Sequence, residues 1–312
     1  MLRYRFWYSY YRVRVKGYNM LENFSEKKFQ FDDGEIYYQI GGTGPPLLMI
    51  HGYPQTHYMW NLVAPTLAKK YTIILPDLRG YGKSLAPTGD IDHFNYSKRV
   101  MGLDLKTLMS SLSFKKFSIV GHDRGGRVAH RMARDYKNDI LNLIILDICP
   151  TLDMYEQTDM EFAKAYFHWF FLIQPVGIPE TLIGENPKFW LNNCLNKWST
   201  GHDFSERLEE YSKHFSKPEN IHGSCEDYRA GASIDLIHDK QDRHAKLSIP
   251  IHTLWGAKGF IGKAYDPIKV WQSYTKGRVS GKSIDCGHFI PEEKPKETIN
   301  EIINFLESIN YN

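Results

Sequence analysis

The sequence predicts an α/β protein built on one mostly parallel sheet with helices on both faces. Three observations carry that reading. Short apolar runs alternate with helix-patterned segments along most of the chain. One of those runs passes through a glycine-flanked turn directly into a helix. A length of 312 residues suits one large α/β domain, or such a core with a smaller insertion.

Taken in order, the strand-like segments are KKFQF and EIYYQI, then, after a Gly-Gly-Thr-Gly-Pro-Pro turn, LLMI running into His51-Gly52-Tyr53-Pro54. TIIL precedes Pro76-Asp77, FSIV precedes Gly121-His122-Asp123, and LIIL precedes Asp147. IHTLW precedes Gly256, and KSID precedes Cys286-Gly287-His288. These segments give an eight-stranded sheet, and in such sheets chemistry sits beyond the carboxyl ends of the strands. Between Cys149 and about Arg229 the pattern becomes aromatic and helical, as in EFAKAYFHWFFLIQP and PKFWLNNCLNKW, with no apolar strand. Residues 150–229 therefore read as a helical cap inserted into a core formed by 20–149 and 230–312.

Composition excludes several classes. The net charge is +3, but Arg3, Arg5, Arg12, Arg14 and Lys16 crowd the first nineteen residues, and the remainder is slightly acidic, so no nucleic-acid surface is inferred. Arginines interrupt that aromatic leader too often for a secretory signal, and no membrane span appears. Residues 1–19 read as a disordered extension or an over-long gene start, with Met20 as the working initiator; a cytoplasmic location is expected. Cys149, Cys194, Cys225 and Cys286 lack metal or redox spacing and read as buried free thiols. Thirteen histidines include no H-E-x-x-H, so no metal site is expected. RGYGKS ends like a phosphate loop, yet Asp77 stands where the first glycine is required.

The chemistry centres on Ser118–Tyr136. A β-prone run, the turn Gly121-His122-Asp123-Arg124-Gly125 and helical spacing at Val128, Met132 and Tyr136 make a strand, a tight turn and a helix, with an aspartate where the nucleophile elbow carries serine. An elbow carboxylate attacks carbon to form an alkyl ester and needs no base to ionise it. A base is needed later, to activate water, and His288 after the last strand is placed for it. Asp147 is the orienting acid, because LWGAKGFIG after the seventh strand offers no carboxylate. The backbone N–H groups of Tyr53 and Arg124 suit an oxyanion hole. Plainer readings stand beside these: a helix cap for Asp123, a packed loop histidine for His288 and a strand-end cap for Asp147.

With HGYPQTHYMW, GHDRGGRVAHRMA, LDICPT, YFHWFFLIQP, CEDYRAGA and CGHFIPEE together, the chain from about Gly34 onward resembles the haloacetate (fluoroacetate) dehalogenase group of the α/β-hydrolases. The resemblance implies an α/β-hydrolase fold with an inserted helical cap and no cofactor. It implies that Arg124 and Arg127 clamp the substrate carboxylate, a task that suits guanidinium forks. It also implies that His168, Trp169 and Tyr228 donate to the departing halide, and that Trp198 lines the pocket. At two positions the chain departs from the pattern: Met154 replaces a tyrosine and Gly126 an alanine. Loss of that phenol softens the pocket wall in a way that favours chloro- or bromoacetate.

The resulting expectation is hydrolytic dehalogenation of 2-haloacetates to glycolate and halide through an ester on Asp123. The partners are a small haloacid and water, with no nucleic acid and no membrane. Relatives in this group form dimers, which raises a homodimer for which the sequence shows no interface signature. Two alternatives stay open: an epoxide hydrolase using the same aspartate, and a non-catalytic ligand-binding homologue.

Overall fold

The computed structural model describes residues 21–31 and 34–309. The extension expected over residues 1–19, and the initiator Met20, lie outside the described residues.

All eight expected strands form: β1 (Ser25–Phe31), β2 (Gly34–Gly41), β3 (Pro46–Ile50), β4 (Thr72–Pro76), β5 (Phe117–His122), β6 (Ile140–Leu146), β7 (Ile251–Gly256) and β8 (Val279–Ile284). They make one sheet in the order β1-β2-β4-β3-β5-β6-β7-β8. β1 pairs antiparallel with β2 and β2 with β4, and every later pairing is parallel. Composition explains the placement. β5, at the centre, is buried along its whole length and apolar over most of it, as a strand covered on both faces must be. β1, at one edge, carries Glu26, Lys27 and Lys28 on exposed positions, and charges there discourage pairing with another chain.

The helix Arg124–Asp135 leaves β5 through the elbow and packs on the helix Lys98–Ser111, closely enough that a Cβ at Gly102 would stand 2.9 Å from the Met132 side chain. Although it contains four arginines, this helix is buried from Arg124 to Arg134. Arg131 pairs with Asp135 and Asp242, and Arg134 donates to the carbonyls of Asp242 and Ala245. A surface helix is the natural reading of that composition. Tertiary partners reverse it.

Between β6 and β7 lie eight helices and no strand among the described residues: Thr151–Glu156, Met160–Ala165, Phe167–Leu172, Ile178–Gly184, Pro187–Trp198, Ser205–Phe215, Pro218–Ala232 and Ile234–Gln241. The helix Pro218–Ala232 runs through residue 229, so helical structure continues past the position where the sequence pattern changes. The aromatic segment EFAKAYFHWFFLIQP is divided at Tyr166, whose φ of −111° and ψ of 34° end one short helix and begin another. That break sets the direction in which His168 and Trp169 project. No helix among the described residues is long and apolar enough to cross a membrane.

Candidate active site

The elbow is strained. Asp123 holds φ 46° and ψ −116°, a left-handed conformation that a non-glycine residue adopts only when its surroundings enforce it. The glycines around it make the turn sterically available. A Cβ at Gly52 would stand 2.6 Å from the Asp123 Cβ, and one at Gly125 would stand 2.4 Å from the His51 carbonyl oxygen. Strand β5, helix and the loop after β3 meet there with no room for side chains.

Asp123 is 4% exposed. Its Oδ2 accepts the Tyr53 backbone N–H at 2.9 Å. Burial works against ionisation, but His288, Arg127, His122 and Arg124 hold the carboxyl below its ordinary range, so it is an anion at neutral pH. His288 Nδ1 lies 2.6 Å from Asp147 Oδ2, and Asp147 Oδ1 accepts the Gly256 N–H at 2.8 Å. Burial alone would lower the His288 pKa; the Asp147 bond and the charges of Asp147 and Asp123 raise it instead. The structure therefore brings Asp123, His288 and Asp147 together from the ends of β5, β8 and β6. Asp147 also has a positive φ, 52°, at the end of its strand.

A cavity of about 240 Å³ opens onto these residues. Its floor is Asp123, Asp147 and His288; Tyr166, His168 and Trp198 close it from the helical insertion, and Lys197, Lys258 and Lys263 stand at its wall. A space of this size holds a small molecule.

Arg124, Arg127, Trp169, Tyr228 and Met154 do not line that cavity. They form a packed cluster beside it, joined to it through His168. The Tyr228 ring lies 5.2 Å from Tyr53, 5.8 Å from His168 and 6.4 Å from Trp169, centroid to centroid. The Arg124 guanidinium stacks 4.1 Å over Tyr228, and that of Arg127 lies 4.6 Å over Trp169. Three donors in this cluster, His168 Nδ1, Trp169 Nε1 and the Tyr228 hydroxyl, are buried and bond to no group of the described residues. Leaving a buried donor unpaired costs about 1–3 kcal/mol, so a grouping of such donors marks a place made for an acceptor. Burial lowers the His168 pKa to about 3 and raises that of Tyr228 well above the ordinary phenol range, so both are neutral, the phenol a donor and the imidazole a donor through the nitrogen that carries its proton.

The two arginines differ. Arg124 is fully engaged by Asp227: Nε donates to Oδ2 at 2.8 Å, and Nη2 donates to Oδ1 at 2.8 Å and to the backbone carbonyl at 2.7 Å. Among the described residues Arg127 donates only to uncharged acceptors, the Cys149 carbonyl at 3.1 Å, the Thr151 hydroxyl at 2.9 Å and the Met154 sulfur at 3.4 Å, and its Nε has no partner there. Burial, then the neighbouring charge of Arg124, lower its pKa, while Asp123 opposes them. A buried guanidinium without a carboxylate is costly unless an anion completes it.

Several residues at the site carried no signal strong enough to single out. Tyr166 lines the cavity two positions before His168, and Asp227 immediately precedes Tyr228. Glu292 accepts from Gln55 and from the Tyr211 hydroxyl, and pairs with Arg207 at 3.0 Å, tying the helix Ser205–Phe215 to the loops that carry Tyr53 and His288. Its burial raises the carboxyl pKa to about 7. Asp77, which rules out a phosphate loop, accepts the N–H groups of His57 and Lys83 and so shapes the neighbouring turn.

Residues 45–295 match the model of the alpha/beta hydrolase fold family. A fluoroacetate dehalogenase of Burkholderia sp is 42% identical over 92% of this chain and 95% of its own. A soluble epoxide hydrolase of Corynebacterium sp. (strain C12) is 34% identical over 87% of this chain and 93% of its own. A Nostoc sp PCC 7120 protein named as an α/β hydrolase superposes with a TM-score of 0.89 at 51% identity, covering 91% of this chain and 98% of that one. With its eight-stranded sheet and carboxylate elbow, this chain belongs to the α/β-hydrolase family and is an enzyme of its haloacetate dehalogenase group.

Proposed function

We propose that this enzyme hydrolyses 2-haloacetates to glycolate and halide through a covalent ester on Asp123. The observation that carries the reading is the coincidence, around one ionised elbow carboxylate, of a buried arginine hydrogen-bonded to no acid and three buried donors without acceptors among the described residues.

The first step joins Asp123 Oδ1 to the substrate's α-carbon while the halide leaves with the carbon–halogen electron pair. Oδ2 is the oxygen that accepts the Tyr53 N–H, which leaves Oδ1 for attack. Arg127 balances the substrate carboxylate, and Arg124 supplies a second directed contact. His168, Trp169 and Tyr228 receive the halide where its charge develops, which lowers the barrier because the donors are already in place. In the second step His288 takes a proton from water, and the hydroxide adds to the ester carbonyl. Oδ2 is then the carbonyl oxygen, held by the Tyr53 N–H and by that of Arg124, which lies in the first helical turn and has no intrahelical acceptor. Collapse expels the glycolate alkoxide, which takes the imidazolium proton, and leaves the Asp123 carboxyl, whose own proton passes to solvent to restore the carboxylate. Asp147 fixes the ring and steadies its positive charge.

The similarity to an epoxide hydrolase keeps a second reading in play, because the phenols of Tyr166 and Tyr228 are acids able to protonate an opening epoxide oxygen. Arg127 supports the first: an epoxide has no charge for it to balance.

The test is His288→Asn exposed to chloroacetate. Alkylation proceeds without a base while hydrolysis stops, so mass spectrometry should find a carboxymethyl group on the peptide containing Asp123. An unmodified peptide, or turnover of styrene oxide exceeding that of chloroacetate by the wild type, overturns the proposal.

A further inference from the structure

Arg124 belongs to a buried network. Its partner Asp227 also accepts the Tyr81 hydroxyl at 2.6 Å and the Lys98 ammonium. Lys98 bonds in turn to Asp235, through the ammonium at 3.2 Å and through its backbone N–H at 2.8 Å. Arg124, Lys98, Asp227 and Asp235 are all at most 5% exposed in their side chains. Two cations therefore face two anions in a volume shielded from solvent. The network joins four helices, the elbow helix, the helix Lys98–Ser111, the helix Pro218–Ala232 with Asp227 and the helix Ile234–Gln241 with Asp235, and it adjoins Tyr228, over which Arg124 stacks.

We infer that Asp227 is a positioning residue with two effects: it aims the Arg124 guanidinium, and it cancels that guanidinium's charge, leaving Arg127 to read the charge of an anionic substrate. The geometry supports both parts. Three bonds to one residue fix the guanidinium plane, as a bidentate carboxylate does. A second uncompensated cation beside Arg127 would bind any anion, including the halide product, regardless of shape. Asp227 prevents this, so that Arg124 discriminates by direction and Arg127 by charge. The last clause rests on the haloacetate reading. The cancellation of charge does not.

The experiment compares wild type, Asp227→Asn and Lys98→Met/Asp227→Asn. Bromide binding is followed by tryptophan fluorescence, and kcat/KM for chloroacetate by halide release. Asp227→Asn leaves one extra positive charge, so bromide should bind about tenfold more tightly, as expected of a buried unit charge several ångströms away. The same variant should lose about tenfold or more in kcat/KM, because Arg124 loses one arm of the carboxylate fork that fixes its plane, a charge-assisted bond. In the double variant Asp235 alone balances Arg124. Bromide affinity should return to the wild-type value while kcat/KM stays low, and the restored balance protects the fold if the single variant is unstable. A merely structural Asp227 would weaken both readouts together and would not separate them in the double variant. Bromide binding that does not tighten in Asp227→Asn, or kcat/KM restored in the double variant, overturns the inference. A wild type that releases no halide from chloroacetate refutes the haloacetate reading instead, and the bromide comparison still decides the charge cancellation.

Discussion

Replacing Tyr228 by phenylalanine removes one oxygen and leaves the ring. In the folded protein that hydroxyl is buried and bonds to no group of the described residues, so its removal breaks no hydrogen bond among them. The ring contacts to Tyr53, His168 and Trp169 survive, as does the Arg124 stack at 4.1 Å. Deleting an unpaired polar atom costs the fold nothing and removes a desolvation penalty of up to about 1–3 kcal/mol, so Tm should hold or rise by a few degrees. Catalysis should respond in the opposite sense. Loss of one preorganised donor to developing negative charge typically costs about 10²–10³ in kcat. Fluoride concentrates its charge and is the strongest acceptor among the halides. The loss should therefore be about a hundredfold or more with fluoroacetate and under about tenfold with bromoacetate. Halide release from fluoro-, chloro- and bromoacetate, beside a thermal melt, measures both quantities on one preparation. An equal loss across the three substrates would show that the hydroxyl does not meet the halide. A fall in Tm of several degrees would show that it serves the fold.

Two further outcomes follow from the same geometry. His288 must be neutral to accept a proton, and its pKa is raised by Asp147 and Asp123 against the effect of burial. Activity should be full above that pKa and decline as pH falls through a value higher than the ordinary ~6.5; Asp123, held low, adds no second limb in that range. A pH–rate profile flat down to pH about 5 contradicts the role. Arg127→Met removes a charge-assisted contact of about 1.5–3 kcal/mol, so kcat/KM for chloroacetate should fall about 10- to 150-fold while reaction with neutral chloroacetamide changes little. Equal losses on the two substrates would mean that Arg127 does not read charge.

Local pattern was enough to make the sheet and the candidate catalytic residues legible. An apolar run that ends in Asp, Gly-Asp or Gly-His has little freedom: the run is buried in a parallel sheet, and the polar residue after it is delivered to the carboxyl edge. Asp123, Asp147 and His288 each follow such a run, and the structure brings them within reach of one another. The division at Tyr166 was not legible, because its aromatic and helix-forming neighbours read as one continuous helix, and a break of backbone conformation leaves no periodicity to detect.

The sequence by itself therefore determined which strands exist and which side chains stand at their ends, since both depend on residues adjacent along the chain. Tertiary structure alone decided how the arginines divide. Arg124 and Arg127 look equivalent on the first turn of one helix, but Asp227, 103 positions away, neutralises the first, and among the described residues the second donates hydrogen bonds to carbonyl, hydroxyl and sulfur acceptors alone. It also decided that three donors from two separate helices would share one buried place without an acceptor. Burial and charge compensation are sums over everything near a group in space, and they have no counterpart in a local pattern of residues.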